Sequence, residues 1–455
     1  MDPTALHKMN LRYEVGRTFL LAAPLIVGQL TNFGMNFVDT VMAGRLGAED
    51  LGAIAIGSAI WGAGFMFSLG VLMSVSPFVA QFDGAGEHRA AGSVTRQALW
   101  LALVLGCLMW LGMRNAGLVM ELLDLDESVA ALASGYIKAI SWGAPALTGM
   151  LVLRFFSEGT GKTRPTMYIG VAGILLNIPL NYTLMFGKLG MPALGAVGCG
   201  WATAIVLWVQ LFMMVVYILG KPHYRPFEVF RRFSAPRFQE IGSLLRVGLP
   251  VGVMIFLEGS LFVAAALLIG TLGALPVAAH QVAINFAGLM FMIPVGLSGA
   301  ITVRVGNAIG RRDPEAARRA GLVGMGMALC IQSVVALVIL SFPTAIARMY
   351  TTDPDVIELA AGLLLFAAIF QLPDALQAAT AGALRGMKDT RIPLIFTVIA
   401  YWLVGMSLGW WLTFRQDMGP AGMWIGLIAG LTVAAVLLGG RYWRISRPGR
   451  VLKIA

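Results

Sequence analysis

Charged residues are scarce in this sequence: Asp, Glu, Lys and Arg make up 12% of its 455 residues, whereas hydrophobic residues make up 58%. A soluble globular chain carries about 25% charged and about 45–50% apolar residues. So little charge cannot cover a water-facing surface of this size, which excludes a cytosolic enzyme and a disordered scaffold. The composition predicts an all-α polytopic membrane protein.

Cysteine and histidine are also sparse. The three cysteines, Cys107, Cys199 and Cys330, stand singly in apolar stretches, so they predict neither a disulfide framework nor a metal site. The four histidines are far apart, and no HExxH, DDxxD or GxSxG motif occurs. We therefore predict no enzymatic activity and no cofactor, and keep a membrane-embedded enzyme only as an alternative of another class.

The net charge of +10 raises the question of a nucleic-acid partner, but the basic residues lie in short loops between apolar runs. This distribution is typical of membrane proteins, which keep Lys and Arg on the cytoplasmic side. Most of these residues fall in the two tails and in every second loop. The opposite loops and their borders carry only Arg45, Arg114, Lys138, Lys188, Arg348 and Arg415. We predict no nucleic-acid partner and a multi-pass protein of a bacterial-type inner membrane with both termini cytoplasmic.

Twelve apolar stretches are long enough to cross the hydrocarbon layer, which takes about 20 residues. They begin near Val15, Leu51, Ala91, Val129, Pro165, Pro192, Ile241, Val277, Ala316, Val356, Ile392 and Met418. An even number of spans agrees with the charge distribution, because a missed helix would break the alternation of loops.

The two halves resemble each other at an offset of 226 or 227 residues. Leu46-Gly47-Ala48 matches Leu272-Gly273-Ala274, and GTGKTR at 159–164 matches GMKDTR at 386–391. Six spans per half predict two lobes related by a pseudo-two-fold axis along the membrane normal, an arrangement common in transporters. The predicted lobes are 1–220 and 241–455, joined by a cytoplasmic linker at 221–240.

Three acidic residues lie inside predicted spans: Asp39, Glu258 and Asp374. An ionised carboxylate at the bilayer centre costs about 2.5–3.5 kcal/mol on insertion scales, so such residues usually serve a function. Glu258 and Asp374 lie near the midplane of their helices, whereas Asp39 lies about 9 Å from the Arg45 turn. No Lys or Arg occurs at a comparable depth, so the three acids are predicted to bind cations or protons. Pro373, beside Asp374, predicts a helix break that lines a cavity.

Uncharged polar residues also occur within the spans. Such side chains more often bond neighbouring helices than bind a ligand. Those kept as candidates for substrate binding are Asn36, Asn177, Asn181, Gln281 and Asn285, with Asp39 and with Phe370 and Gln371 close to Asp374. His280 is a further candidate proton carrier, and Asn32 is a more remote candidate.

Several of these segments resemble a known family. FVDTVMAG in the first helix, VAQFDGAG after the second, LNIPLNYTLMFG in the fifth, Glu258 in the seventh and Asp374 in the tenth are similar to the multidrug and toxic compound extrusion (MATE) family, NorM branch. The resemblance covers nearly the whole chain. Some members place a Tyr one turn before the tenth-helix acid, where this chain has Phe370.

The resemblance implies secondary antiport, in which cationic amphipathic drugs or dyes leave the cell while Na⁺ or H⁺ enters. It assigns Asp39, Glu258 and Asp374 to the coupling cation, with Glu258 and Asp374 holding Na⁺ where Na⁺ is used, and Asn177 and Asn181 to the first-lobe cavity. The expected partners are cationic small molecules and the lipid bilayer, and the chain is expected to function as a monomer. A lipid-linked oligosaccharide flippase is the alternative transporter, but its anionic substrate favours a basic cavity.

Overall fold

A computed structural model describes residues 11–117 and 126–447. Residues 1–10, 118–125 and 448–455 lie outside these ranges. The described residues form helices and no strand. In the first half these are α1 (Leu11–Gly44), α2 (Ala48–Leu72), α3 (Val75–Gly84), α4 (His88–Arg114), α5 (Glu127–Ser141), α6 (Ala144–Gly159), α7 (Arg164–Phe186), α8 (Gly195–Gly220) and a 3₁₀ helix (Pro222–Phe227).

The second half continues with a similar order of helices. They are α9 (Phe238–Gly270), α10 (Ala274–Gly310), α11 (Pro314–Ser341), α12 (Pro343–Arg348), α13 (Pro354–Gly386), α14 (Arg391–Val398), a π-helical segment (Ile399–Met406), α15 (Ser407–Phe414) and α16 (Pro420–Ile445). The π-helical segment joins α14 and α15 into one continuous helix.

Eleven helices in the described ranges are long and apolar enough to cross a membrane. The pair α5 and α6, bent by 46°, makes a twelfth span if it crosses as one unit, in agreement with the predicted twelve. Pro145 in the first turn of α6 explains the break, because proline lacks the N–H that would continue the helix from α5.

The internal repeat is visible in the helix bounds. Residues Ala48–Gly84 of the first half correspond to Ala274–Gly310 of the second at a constant offset of 226. The turns repeat as well, since Gly86 and Arg312 both have positive φ, and so do Gly161 and Lys388. The duplicated sequence therefore forms the same turns twice, even where the second copy has lost its glycine.

Packing divides the chain into two compact units. The N-lobe is Val27–Gly252, and the C-lobe is Met1–Ile26 together with Val253–Ala455. The division thus falls inside α1 and α9, whereas the sequence placed it around the linker 221–240. The reason is close backbone packing: Gly248 of α9 lies against Val71 in the N-lobe, and Gly296 of α10 lies against Ile26 in the C-lobe.

Lys388 offers a test of the repeated turn. Its φ of 59° is in the left-handed region, which costs a non-glycine residue about 1 kcal/mol, and its partner in the first copy is Gly161. Burial also lowers the pKa of the Lys388 amine to about 8, from its ordinary 10.5. We therefore expect Lys388→Gly to raise the thermal unfolding midpoint in detergent by about 1–3 °C at pH 7.

The backbone strain and the side-chain charge at Lys388 affect stability with different pH dependences. The buried charge destabilises the fold fully below pH 8, and this penalty disappears as pH rises from about 8 to 10.5. Lys388→Ala removes the charge and keeps the backbone strain, so its advantage over the parent chain should vanish at high pH, whereas part of the Gly advantage should persist. Equal midpoints for Gly and Ala at every pH would contradict the backbone argument.

Candidate functional site

The deep acids lie in separate units of the fold. Asp39 belongs to the N-lobe part of α1, whereas Glu258 on α9 and Asp374 on α13 belong to the C-lobe. Asp39 and Asp374 are buried, 8% and 2% exposed, and Glu258 is partly buried. Among the described residues none of the three forms an ion pair with a Lys, Arg or His.

In the C-lobe, the Glu258 and Asp374 carboxylates interact electrostatically, and the Tyr401 hydroxyl faces Glu258. Pro373 inside α13 removes the backbone donor for the Ile369 carbonyl one turn earlier. Tyr401 is fully buried and lies in the π-helical segment, a local widening that often occurs at functional sites. Two carboxylates and a phenol thus converge within one lobe.

The polar atoms of this cluster have unused bonding capacity. In the described part of the chain Glu258 Oε1, Asp374 Oδ1, the Gln377 side-chain oxygen and both polar side-chain atoms of Gln371 have no hydrogen-bond partner, and the Tyr401 hydroxyl lies beside Glu258. A buried polar atom left without a partner costs about 1–3 kcal/mol, so such a cluster calls for a ligand. Gln371, Asp374 and Gln377 follow each other at three-residue spacing, which places them on one face of α13.

A sodium ion would have to use these neutral oxygens. The described residues contain no group of three or more His, Cys, Asp or Glu that could hold a metal ion. The predicted pair Glu258 and Asp374 would therefore need the oxygens of Gln371, Gln377 or Tyr401 to complete a shell. Amide, phenol and carboxylate oxygens are the donors that a hard monovalent cation accepts, and a proton needs only one carboxylate.

Beside this cluster the aromatic rings pack against each other. Phe370 is 2% exposed and contacts Phe262 and Trp424, with ring centroids 6.1 Å and 5.7 Å apart. His280 is buried against Trp424 at 5.9 Å, and neither ring nitrogen has a described partner. Phe370 therefore contributes an apolar wall one turn before Asp374.

In the N-lobe, the Asn181 amide donates to Asp39 Oδ1 at 2.6 Å and to Asn177 Oδ1 at 3.1 Å. Both asparagines are fully buried on α7, one turn apart on either side of Pro179. Thr203 and Cys199 of α8 also lie beside the Asp39 carboxylate. Asp39 thus lies among neutral donors, a setting that leaves its negative charge available to a cation.

The remaining candidates lie elsewhere on these helices. Asn36 is exposed on α1, and Gln281 and Asn285 are exposed on α10, where the Asn285 amide donates to the Gln281 carbonyl. Asn32 lines a small cavity of the N-lobe with Arg154, Thr166 and Gln210. None of these side chains has a described hydrogen bond to one of the three acids.

Sequence reasoning missed Tyr401, Gln377, Thr203 and Cys199. The position of Gln377, one turn after Asp374, could have indicated its place in the site. The sequence gives no such indication for Tyr401, because it stands in the uniformly apolar run IAYWLVGM. The buried arginines, by contrast, already have partners. Arg154 Nε bonds Glu158 Oε1 at 2.7 Å, and both side chains are buried.

The family comparison follows the internal repeat. The MatE family model matches twice, at residues 24–183 and 250–411, once in each half of the internal repeat. The chain belongs to the MatE family. Both matches include deep acids, Asp39 in the first and Glu258 with Asp374 in the second.

Relatives in this family resemble the chain over nearly its whole length. It is 44% identical over 434 residues to "Probable multidrug resistance protein NorM" of Xanthomonas campestris, with 95% of each chain covered. It is 43% identical over 448 residues to "Multidrug resistance protein PmpM" of Pseudomonas aeruginosa, covering 96% of this chain and 93% of that one. The predicted resemblance to the NorM branch is thus confirmed.

Solved structures of MatE relatives show the same fold. The eukaryotic MATE transporter AtDTX14 superposes with a TM-score of 0.88 at 22% identity, covering 97% of this chain and 99% of that one. An outward-facing multidrug resistance MATE transporter superposes with a TM-score of 0.87, also at 22% identity, covering 100% and 99%. The predicted all-α membrane fold of twelve spans is confirmed.

Proposed function

We propose that this MatE protein exports cationic amphipathic drugs or dyes across the inner membrane in exchange for inward Na⁺ or H⁺. The observation that supports this most strongly is that Asp39 in one lobe and Glu258 with Asp374 in the other are buried or partly buried and form no ion pair with a basic residue in the described part of the chain. Buried anions of this kind favour positively charged ligands over the anionic substrate of a flippase. The names of the relatives, multidrug resistance proteins, support the same substrate class.

The C-lobe acids suit the role of the coupling site. Two carboxylates that repel each other in a low-dielectric interior gain free energy when one of them binds a proton or when both share a cation. Gln371, Gln377 and Tyr401 supply neutral oxygens around them. Each elementary charge that moves inward along the membrane potential contributes about 2.3 kcal/mol per 100 mV.

Exchange requires that the drug cation and the coupling ion compete for binding to the protein. The coupling ion neutralises Glu258 and Asp374, which lowers the affinity for the drug cation and favours its release outside. A ligand shifts a conformational equilibrium only by its differential affinity for the two states, so the drug and the ion must favour opposite states. We propose that two lobes alternating in access, each with its own acids, provide these states and that the monomer suffices.

Reconstituted protein in liposomes tests this function. Ethidium should move against an imposed Na⁺ gradient or pH gradient, and a neutral dye of similar size should not. The two gradients are imposed separately, so the driving ion is identified in the same measurement. No ethidium movement under either gradient, with protein correctly inserted, would contradict the proposal.

A further inference from the structure

The segment between α8 and α9 carries an unusual combination of side chains. Residues 221–238, KPHYRPFEVFRRFSAPRF, hold five basic residues and one acidic residue, Glu228. Phe233 and Phe238 are 85% and 87% exposed, and Arg225 and Arg231 are exposed beside them. We call Arg225, Arg231, Arg232, Phe233 and Phe238 the linker surface.

This segment is fixed to the N-lobe rather than loosely tethered. The Tyr224 hydroxyl bonds the Ser157 hydroxyl at 2.6 Å, and Phe227 is 1% exposed. Only a glycine fits at position 92, because a Cβ there would lie 1.7 Å from the Phe227 carbonyl oxygen. The anchored side of the segment is therefore closely packed against the helices.

Side chains of α4 hold the second half of the segment. Trp100 Nε1 donates to the Ser234 carbonyl at 3.0 Å, and the Gln97 amide donates to the Ala235 carbonyl at 3.0 Å and accepts from Arg237 N at 2.7 Å. The backbone on either side of Phe233 is thus held in one conformation. Binding at the linker surface would lose little conformational entropy, because the groups are already ordered.

The flanking helices fix the depth of the linker surface. α8 ends at Gly220 and α9 begins at Phe238, and both are candidate membrane spans. Because the segment joins two neighbouring spans and packs against α4, we expect it at the level of the lipid headgroups. Exposed aromatic rings are stable at this level, with their apolar faces toward the acyl chains.

The charged side chains of the linker surface indicate which class of lipid headgroup it binds. Arg232 is paired with Glu228, whereas Arg225 and Arg231 have no ion pair with any residue in the described ranges. A guanidinium group binds a phosphate through two parallel hydrogen bonds, which suits an arginine at headgroup depth. Basic clusters beside a span recognise anionic headgroups in this way.

We propose that the linker surface is a binding site for anionic phospholipid. Arg225 and Arg231 bind the phosphodiester headgroup, and Phe233 and Phe238 insert beside its acyl chains. The site lies entirely within the N-lobe. It does not depend on the transported substrate or on the coupling ion.

Native mass spectrometry of the full chain in detergent, titrated with phosphatidylglycerol or phosphatidylcholine, tests the proposal. The parent chain should retain phosphatidylglycerol in preference to phosphatidylcholine. The double variant Arg225→Gln/Arg231→Gln should bind phosphatidylglycerol about thirtyfold more weakly, as expected for two basic residues at an anionic surface. Phe233→Ser/Phe238→Ser should weaken binding of both lipids and keep the preference for the anionic one.

The matched control removes two charges elsewhere. Arg311 follows α10 and Arg391 begins α14; both are exposed in the C-lobe, at helix ends predicted to face the same side. If Arg311→Gln/Arg391→Gln weakens phosphatidylglycerol binding as much as the linker variant does, the effect is that of net charge and the proposed site is wrong. Binding unchanged in the linker arginine variant would also overturn it. Inorganic phosphate should not compete at millimolar concentration, because it lacks the acyl chains that the phenylalanines contact.

Discussion

Replacing Glu258 with Gln and Asp374 with Asn should each lower gradient-driven ethidium efflux at least tenfold, and the double variant should reach the background of empty vesicles. Both substitutions keep the side-chain volume and remove the charge, so they change what the cluster binds and not how it packs. Without a carboxylate, Gln371, Gln377 and Tyr401 offer only neutral dipoles, which cannot compensate the desolvation of a cation. The measurement is efflux from proteoliposomes that contain equal amounts of folded protein.

Two exposed acids on the same helix provide the control. Asp355 and Glu358 lie near the start of α13, and both are exposed. Asp355→Asn and Glu358→Gln remove the same charges and should leave efflux within about twofold of the parent chain. Full efflux by the Glu258/Asp374 double variant would reject the coupling assignment, whereas equal losses in the control variants would reveal a general effect of charge.

The sequence alone predicts much of this site, because charge in an apolar run is conspicuous. Asp39, Glu258 and Asp374 are visible from composition within each span, and the positions of Asn177 and Asn181 follow from helical spacing. Tyr401 could not be predicted. It reaches the acids from a π-helical segment, IAYWLVGM, whose apolar sequence gives no sign that the helix widens there.

The limits of the two packed units were also beyond sequence reasoning. Span counting divides the chain at its most polar linker, whereas packing divides it inside α1 and α9. Glu14 illustrates the difference. It belongs to the polar segment before the first predicted span, yet it is 5% exposed and pairs with Arg304, 290 positions along the chain. Contacts over such separations depend on the tertiary fold and leave no local pattern.

Substitutions in the Glu14–Arg304 ion pair should have a large effect on the stability of the fold. Arg304 donates to the Glu14 carboxylate, to the Glu14 carbonyl and to the hydroxyl of the fully buried Thr18. All three groups lie in the C-lobe and join the beginning of α1 to α10. Removing one partner of a buried ion pair leaves an uncompensated charge and costs about 3–5 kcal/mol. We expect Arg304→Gln to lower the free energy of unfolding by this amount in denaturant titrations.

A double-mutant cycle separates the pair from its surroundings. Glu14→Gln alone should also destabilise the fold, and Glu14→Gln combined with Arg304→Gln should recover most of the loss, since replacing both charges removes the unpaired one. The exposed pair Arg237–Glu240, with side chains 61% and 28% exposed, is the control and should contribute less than about 1 kcal/mol. If the cycle for Glu14 and Arg304 were as weak as this control, water would have to reach the pair, and the beginning of α1 would not be held in the C-lobe by charge.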